Sequence, residues 1–200
     1  MRKFISGLVL GAGASQRFGQ PKQLLPFRGT TMLGWVVEQA QHSTGLDEVV
    51  VVLGRAAEEV RERVDFGAAR VVENPTFGEG CSSSYRAGIG ALNAESAAIM
   101  IILGDLPGIT PEIINRLAEA WREQDAPIAL CSYEGRKGHP MIFARSMFAQ
   151  LVDLHGDKAA WKLVDANAAR VQEVHFGVPY PDDINTPEDF ERLATAGKEN

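Results

Sequence analysis

Short apolar runs alternate with amphipathic stretches along most of this 200-residue chain. The clearest runs, residues 4–10 and 97–103, are typical of strands that are buried on both faces of a sheet. Between them, Leu33, Val36 and Ala40 recur at the spacing of one face of a helix. This alternation predicts an α/β fold with a three-layer sandwich architecture, in which helices cover both faces of a mainly parallel central sheet.

The individual elements follow from the same two patterns. The predicted strands are residues 4–10, 49–53, 70–72, 97–103, 128–132, 140–143 and 170–176, with a loop over residues 134–138. The predicted helices start after the threonines at 30–31, cover residues 56–64, 82–93, 111–124, 146–154 and 159–167, and start again at residue 187. Threonine 31, the serines at 82–84 and threonine 186 are typical N-cap residues, and prolines 111 and 187 suit the first helical position.

Composition and charge limit the classes of protein to which this chain can belong. With 45% hydrophobic residues, the chain can bury one substantial core, so we expect a single domain over residues 1–194 and a frayed polar tail over 195–200. The net charge of −6 argues against a nucleic-acid or membrane-surface partner, because both favour a basic face. Cys81 and Cys131 form no disulfide or zinc pattern. Because neither a signal peptide nor a membrane span is predicted, the expected location is the cytoplasm.

The loop after the first strand carries the most informative chemistry. It contains Leu10, Gly11, Ala12, Gly13, Ala14 and Ser15, followed by Arg17 and Lys22. Glycines let backbone N–H groups approach a phosphate, and the two cations supply the positive charge that a triphosphate requires. A Walker loop would place Lys-Ser/Thr after Gly19, and a dinucleotide loop would place glycine at Gln16, so neither motif fits. The alternative to a nucleotide site is an ordinary strand-to-helix connection with incidental basic residues.

The spacing Gly-x-Gly-x-Ser-x-Arg-Phe-Gly-x-x-Lys resembles the signature of the nucleotidyltransferases that act in molybdenum-cofactor and sugar-nucleotide synthesis, within them the MobA-like NTP transferase family. The resemblance implies a Rossmann-like nucleotide-diphospho-sugar transferase fold. It also implies that the loop wraps the triphosphate, and that Arg17 and Lys22 neutralise charge as pyrophosphate leaves. Three further matches follow in the expected order, so that the resemblance extends from residue 8 to residue 190.

The second match is Gly104-Asp105-Leu106-Pro107, directly after the strand at residues 97–103. Ligands of an open α/β sheet bind beyond the carboxyl ends of its strands, and a carboxylate at that edge suits Mg²⁺. A turn cap before Pro107 is the plainer alternative. The segment resembles the Gly-Asp-x-Pro motif of the same superfamily, which implies that Asp105 binds magnesium and acts in catalysis.

The third match lies in residues 182–190. By its residue types this segment is the start of a helix capped at Thr186. It also resembles the Asp-Ile-Asp-Thr-Pro-Glu-Asp segment of the superfamily, whose third residue is a second metal ligand. Asn185 occupies that position here, so a neutral amide replaces a carboxylate. Asp183 could compensate for the missing charge or take the place of Asn185 as the ligand.

The fourth match concerns the acceptor and the base. Gly138-His139-Pro140 resembles the Gly-His-Pro motif of the MocA-like branch, the molybdenum cofactor cytidylyltransferases, which implies that His139 and Pro140 bind the acceptor. An ordinary half-buried histidine is the alternative. Asn74, Gly80 and Ser84 resemble the stretch of that branch that lines the base and acceptor pocket.

Together the matches imply a nucleotidyltransferase that uses Mg²⁺. Ala12 agrees with the Leu-Ala-Ala-Gly loop of the cytidylyl branch, whereas Gly11 departs from that loop and from the Leu-Ala-Gly-Gly loop of the guanylyl branch. The favoured function is transfer of CMP from CTP to molybdenum-molybdopterin, a phosphorylated pterin, with a molybdenum hydroxylase or its chaperone as the protein partner. Guanylyl transfer, transfer to a sugar or polyol phosphate, and delivery of the cofactor without catalysis remain alternatives.

Overall fold

A computed structural model of the chain describes residues 2–13, 18–155 and 159–196. The strands are β1 (Ile5–Gly11), β2 (Pro26–Phe27), β3 (Thr30–Thr31), β4 (Glu48–Leu53), β5 (Arg70–Glu73), β6 (Ala98–Leu103), β7 (Ile128–Tyr133), β8 (Arg136–Ala144) and β9 (Val171–Phe176). The α-helices are α1 (Met32–His42), α2 (Ala57–Arg63), α3 (Cys81–Ile89), α4 (Pro111–Gln124), α5 (Phe148–Asp153), α6 (Ala159–Ala166) and α7 (Pro187–Ala196). Short 3₁₀ helices cover Lys22–Leu24, Phe77–Glu79, Arg145–Met147 and Ala168–Arg170.

Seven of the strands form one sheet in the order β5-β4-β1-β6-β8-β7-β9, and β2 pairs with β3 in a small separate hairpin. Neighbouring strands of the large sheet are parallel, except that β8 runs antiparallel to both β6 and β7. The α/β fold with a mainly parallel central sheet is therefore confirmed.

The reversal at β8 comes from a tight turn. Glu134 and Gly135 alone separate the paired residues Tyr133 and Arg136. Both turn residues have positive φ, 46° and 87°, which is the conformation that a two-residue type I′ hairpin turn requires. The loop expected over residues 134–138 is wrong, because its last three residues continue the strand instead.

Helices cover both faces of the sheet, as expected for a three-layer sandwich. On one face, buried strand side chains form a core with Val36 of α1 and Trp121 of α4. On the other face, a second core contains Tyr85 of α3 and Leu151 of α5. β6 is the fourth of the seven strands and contributes to both cores, so the most apolar run of the sequence lies at the centre of the sheet, where its burial stabilises the fold.

Most of the predicted helix starts are confirmed. The Thr31 hydroxyl accepts a hydrogen bond from the Gly34 N–H at 3.1 Å and caps α1. Pro111 is the first residue of α4, as predicted. At α7, Asp189 and Thr186 cap each other reciprocally: the Thr186 N–H donates to the Asp189 carboxylate at 2.9 Å, and the Asp189 N–H donates to the Thr186 hydroxyl at 3.2 Å.

The start and end of α3 differ from the prediction. Its N-cap is Gly80, whose φ of 95° lies in the region that favours glycine, so the expected serine cap is wrong. The three serines lie within the first turn of the helix and are buried. The helix ends at Ile89 rather than near residue 93, because the glycines at 88 and 90 weaken its last turn.

The extent of the domain, residues 1–194 with a tail from 195, stays a prediction. Residues 197–200 lie outside the part of the chain that is described. Among the described residues, no helix is long and apolar enough to cross a membrane.

Candidate active site

A cavity of about 680 Å³ opens where β1, β4 and β6 end. Its walls come from the glycine loop, the β4–α2 connection, the 3₁₀ turn before α3, the first turns of α3, and the residues that follow β6. The lining residues are Leu10, Gly11, Ala12, Gly13, Lys22, Gln23, Arg55, Phe77, Gly78, Gly80, Cys81, Ser84, Leu103, Gly104 and Asp105. This position at the carboxyl ends of parallel strands is where open α/β sheets bind ligands.

Most of the residues predicted to bind a nucleotide line the cavity. Eight of them lie in its walls: Leu10, Gly11, Ala12, Gly13, Lys22, Gly80, Ser84 and Asp105. Ala14, Ser15 and Arg17 lie outside the described residues. Asn74, His139, Pro140 and Asn185 are described, but they do not line the cavity.

The glycine loop is held close to the neighbouring strand and to the lysine segment. A Cβ atom at Gly54 would lie 2.6 Å from the carbonyl oxygen of Ala12, so only glycine fits at the end of β4. Gln23, which is buried, donates from Nε2 to the carbonyl oxygens of Gly11 at 2.7 Å and Gly13 at 3.0 Å. The carbonyl groups at the start of the loop are therefore turned toward Gln23.

An ion pair joins Lys22 to Asp105 at the rim of the cavity. The Lys22 ammonium donates to Asp105 Oδ2 and to the carbonyl oxygen of Ile184, the latter at 3.3 Å. Only 14% of the lysine side chain and 23% of the aspartate side chain are exposed. The Ile184 N–H donates in turn to the backbone carbonyl of Asp105 at 3.1 Å. Three distant segments of the chain thus meet at one point.

The two candidates for a second metal ligand lie beside this point. Asn185 is exposed, and its amide donates to Asp183 Oδ2 at 3.5 Å. The pKa of Asp183 lies above its usual value. Burial and the negative charge of Asp105 raise this pKa, and Arg136 only partly offsets them. Asp105 and Asp183 therefore lie within electrostatic reach of each other.

Asn74 supports the wall of the cavity from behind. Only 2% of this residue is exposed, and its amide donates to the hydroxyls of Ser83 at 2.8 Å and Ser84 at 3.1 Å. Its carbonyl oxygen accepts from Thr76. Asn74 thus fixes the first turn of α3, and of this group Ser84 reaches the cavity.

His139 is an interior residue of β8 and is 6% exposed. Burial lowers its pKa to about 4, and this effect outweighs a hydrogen bond to the backbone of Ile101, which raises it. The Tyr133 hydroxyl donates to the backbone carbonyl of His139 at 2.7 Å, and the Trp161 ring meets the imidazole edge-on. Among the described residues, its Nδ1 has no hydrogen-bond partner.

A family model described as the MobA-like NTP transferase domain matches residues 7–172 of this chain. The chain belongs to the MobA-like NTP transferase family. The match spans the glycine loop, Lys22, Asp105 and the Gly-His-Pro segment, and it ends before the segment that contains Asn185.

Curated relatives in the family have more than one named activity. Nicotine blue oxidoreductase of Paenarthrobacter nicotinovorans is 36% identical over 69% of this chain and 70% of its own length. Molybdenum cofactor cytidylyltransferase of Escherichia coli is 24% identical over 93% of both chains. A probable molybdenum cofactor guanylyltransferase of Thermococcus kodakarensis is 32% identical over 70% of this chain and 65% of its own length.

Solved structures share the whole fold. Rv0371c from Mycobacterium tuberculosis, in complex with manganese, is 34% identical and superposes with a TM-score of 0.83 over 96% of this chain and 99% of that chain. A nucleotidyl transferase from Methanothermobacter is 25% identical, with a TM-score of 0.81 over 98% of this chain and 99% of that chain. These structures and the family model support a nucleotidyltransferase.

The side chains around Asp105 fit a hard divalent cation. Asp105, Asp183 and Asn185 offer only oxygen donors, which Mg²⁺ and Mn²⁺ prefer. In the described ranges, no three His, Cys, Asp or Glu side chains converge on one point as a closed metal cage. An open set with one or two carboxylates matches the way Mg²⁺ binds to nucleotides, where phosphate oxygens and water complete the coordination.

Sequence reasoning missed part of the cavity wall. The missed residues are Gln23, Arg55, Phe77, Gly78, Cys81, Leu103 and Gly104. Arg55 had a usable signal, because it comes two residues after the end of β4, at the ligand-binding edge of the sheet. Its side chain is exposed and forms no hydrogen bond or ion pair with another described residue.

Proposed function

We propose that this nucleotidyltransferase transfers CMP from CTP to molybdenum-molybdopterin and releases pyrophosphate. The observation that carries the proposal is the meeting of Lys22 and Asp105 at the rim of the glycine-loop cavity. A metal-bound triphosphate requires positive charge near its phosphates, which the cation supplies, and an oxygen ligand for its metal ion, which the carboxylate supplies. The E. coli relative that matches 93% of the chain is named a molybdenum cofactor cytidylyltransferase, which supports the choice of nucleotide and acceptor.

In the proposed reaction, an oxygen of the acceptor phosphate forms a bond to the α-phosphorus of the nucleotide. The bond from that phosphorus to the bridging oxygen breaks, and its electron pair leaves with pyrophosphate. The acceptor phosphate is already ionised near neutral pH, so no side chain needs to remove a proton. The protein contributes position and charge rather than covalent chemistry.

Each site residue has a distinct role in this proposal. Backbone N–H groups of the glycine loop bind the phosphates. Lys22 and Arg17 stabilise the charge that develops on the α-phosphate and on the leaving pyrophosphate. Asp105, with Asn185 or Asp183, would hold Mg²⁺, which when bound supplies positive charge to the phosphate oxygens. His139 and Pro140, being interior, would shape the acceptor site from beneath.

Turnover with competing nucleotides tests the proposal. The purified protein is supplied with molybdenum-molybdopterin, Mg²⁺ and CTP, GTP or ATP, and pyrophosphate release is measured. We expect kcat/KM for CTP to exceed that for GTP about tenfold or more, the ratio that a difference of about 1.4 kcal/mol supplies. A preference for GTP would make the protein a guanylyltransferase, and no pyrophosphate from any nucleotide would refute nucleotidyl transfer to this acceptor.

The same assay separates the remaining alternatives. Replacement of the pterin by sugar or polyol phosphates tests the other acceptor classes. A cofactor-delivery protein would instead bind the pterin and pass it to a molybdenum hydroxylase without consuming nucleotide. The paired Lys22 and Asp105 argue against that alternative, because a carrier does not require both charges at a triphosphate site.

A further inference from the structure

A second polar region lies beyond β6, on the side of Asp105 away from the nucleotide cavity. The antiparallel register pairs Ile101 of β6 with Met141 of β8, which brings the start of β8 to the same sheet edge as Asp105. Arg136 is the first residue of β8 and is exposed there. An antiparallel strand thus presents its first residues at the edge where the parallel strands end.

The Arg136 guanidinium rests on an aromatic platform. Its Cζ atom lies 3.8 Å from the centroid of the Tyr180 ring. That ring meets Tyr133 edge-on at 5.4 Å between centroids, and a Cβ atom at Gly138 would lie 2.1 Å from its Cε2 atom. Glycine at position 138 is therefore what allows Tyr180 to pack beneath the arginine.

Stacking orients the guanidinium but leaves its N–H groups available. A cation–π contact uses the face of the guanidinium, whereas its hydrogen-bond donors lie around its edge. Arg136 forms no hydrogen bond or ion pair with another described residue. The neighbouring Lys137, in contrast, is neutralised by Glu173, whose carboxylate lies 2.7 Å from the ammonium.

Arg136 also lies near Asp105, because Tyr180, the ring under its guanidinium, is four residues before Ile184, whose N–H donates to the Asp105 carbonyl. The charges of Arg136 and Asp105 both act on Asp183, and both act on the Tyr180 hydroxyl. Arg136 belongs to β8, which flanks β6 on the side opposite to β1, so it lies on the far side of Asp105 from the glycine loop, whereas Lys22 lines the nucleotide cavity. An acceptor that attacks a nucleotide in the cavity would approach Asp105 from this far side.

We propose that Arg136, oriented by Tyr180, binds the phosphate group of the acceptor. The inference rests on the proposed nucleotidyl transfer, and it adds the group that recognises the acceptor. A planar guanidinium can hold two phosphate oxygens at once and leave a third free to attack, which lysine cannot do with the same geometry. Tyr180 is a positioning residue, because it acts through the arginine.

Steady-state kinetics with the acceptor and nucleotide varied in turn test this assignment. For Arg136→Ala, we expect the KM for molybdenum-molybdopterin to rise about tenfold or more, as for loss of a hydrogen bond between charged groups, while the KM for CTP stays unchanged. Arg136→Lys should recover part of the loss, and Tyr180→Phe should keep the wild-type values because the ring is retained. Lys137→Ala, the matched neighbouring cation, should also behave as wild type.

A binding measurement tests Arg136 without turnover. Inorganic phosphate is titrated into wild type and Arg136→Ala that already hold Mg²⁺ and a non-hydrolysable analogue of CTP or GTP, so that the triphosphate site is filled. Weaker phosphate binding by the variant supports the assignment. Equal binding by both proteins, or no binding by the wild type, overturns it. Failure of the proposed function would instead appear as an inactive wild type whose phosphate binding still depends on Arg136.

Discussion

Removal of the Lys22 ammonium should abolish most turnover while the fold survives. Lys22→Met keeps the length of the apolar stem and removes the charge. Loss of a single donor that stabilises charge in a transition state costs about 2.7–4 kcal/mol, or roughly 10²–10³-fold in kcat. We expect a decrease of that size at saturating nucleotide, measured as pyrophosphate release.

The same substitution has a cost in stability that can be separated from the loss of activity. Lys22 and Asp105 are mostly buried, so the carboxylate left behind loses a charged hydrogen bond worth about 1.5–3 kcal/mol. In a chain of this size, that corresponds to a decrease in Tm of roughly 3–12 °C. Because a typical domain is stable by about 5–15 kcal/mol, the variant should stay folded at 25 °C. Its lost turnover would therefore reflect the missing charge rather than unfolded protein.

Lys3→Met is the matched control. Lys3 also pairs with an aspartate, Asp125, at 2.6 Å, but it precedes β1 and so lies at the opposite edge of the sheet. Its loss should leave kcat unchanged. If Lys22→Met retained a kcat within about threefold of wild type, the transition-state role of Lys22 would be refuted.

Three further substitutions test other parts of the site. Asp105→Ala should weaken binding of the magnesium–nucleotide complex more than binding of metal-free nucleotide, and equal weakening by calorimetry would make Asp105 a structural cap. Gln23→Leu removes the donor that holds the carbonyl oxygens of Gly11 and Gly13. At about 1 kcal/mol for each of the two lost bonds, the KM for nucleotide should rise about thirtyfold, and an unchanged KM would contradict an ordering role. Ala12→Gly removes the methyl group beside Gly54 and should narrow the preference for CTP over GTP, whereas an unchanged ratio would place base selection elsewhere.

Local physical chemistry explains which elements could be predicted. The buried run that forms β6, the threonine cap of α1 and the proline at the start of α4 depend on a few neighbouring residues. The position of Asp105 could be predicted because the carboxyl ends of the parallel strands lie together at the edge where an open α/β sheet binds ligands. The two-residue turn before Arg136 also had a local signal, the glycine at 135, but the predicted loop extended past it to residue 138.

Contacts between distant segments explain what could not be predicted. Gln23 binds carbonyl oxygens whose direction depends on the path of the glycine loop. His139 is buried and its ring meets Trp161 of α6, 22 residues further along the chain, so the local sequence does not reveal this contact. Arg136 and Tyr180 meet across 44 residues of chain, so no short motif reveals their contact.

Membership of this family does not by itself determine which reaction the protein catalyses. The curated relatives named above include an oxidoreductase, a cytidylyltransferase and a probable guanylyltransferase on one family of folds. The side chains that touch the nucleotide, the metal and the acceptor must therefore distinguish them. The preference for CTP over GTP in Ala12→Gly and the acceptor KM of Arg136→Ala test two of these contacts.

The hydrogen bonds of Ile184 determine how late during synthesis the contacts around Lys22 and Asp105 can be completed. The last strand of the sheet ends at Phe176, so a nascent chain contains every strand before Ile184 leaves the ribosome. Lys22 and Asp105, synthesised much earlier, gain their shared backbone partner only at that late stage. A chain that ends between residues 177 and 183 would therefore contain every strand that the structure describes but lack the residue that is hydrogen-bonded to both Lys22 and Asp105.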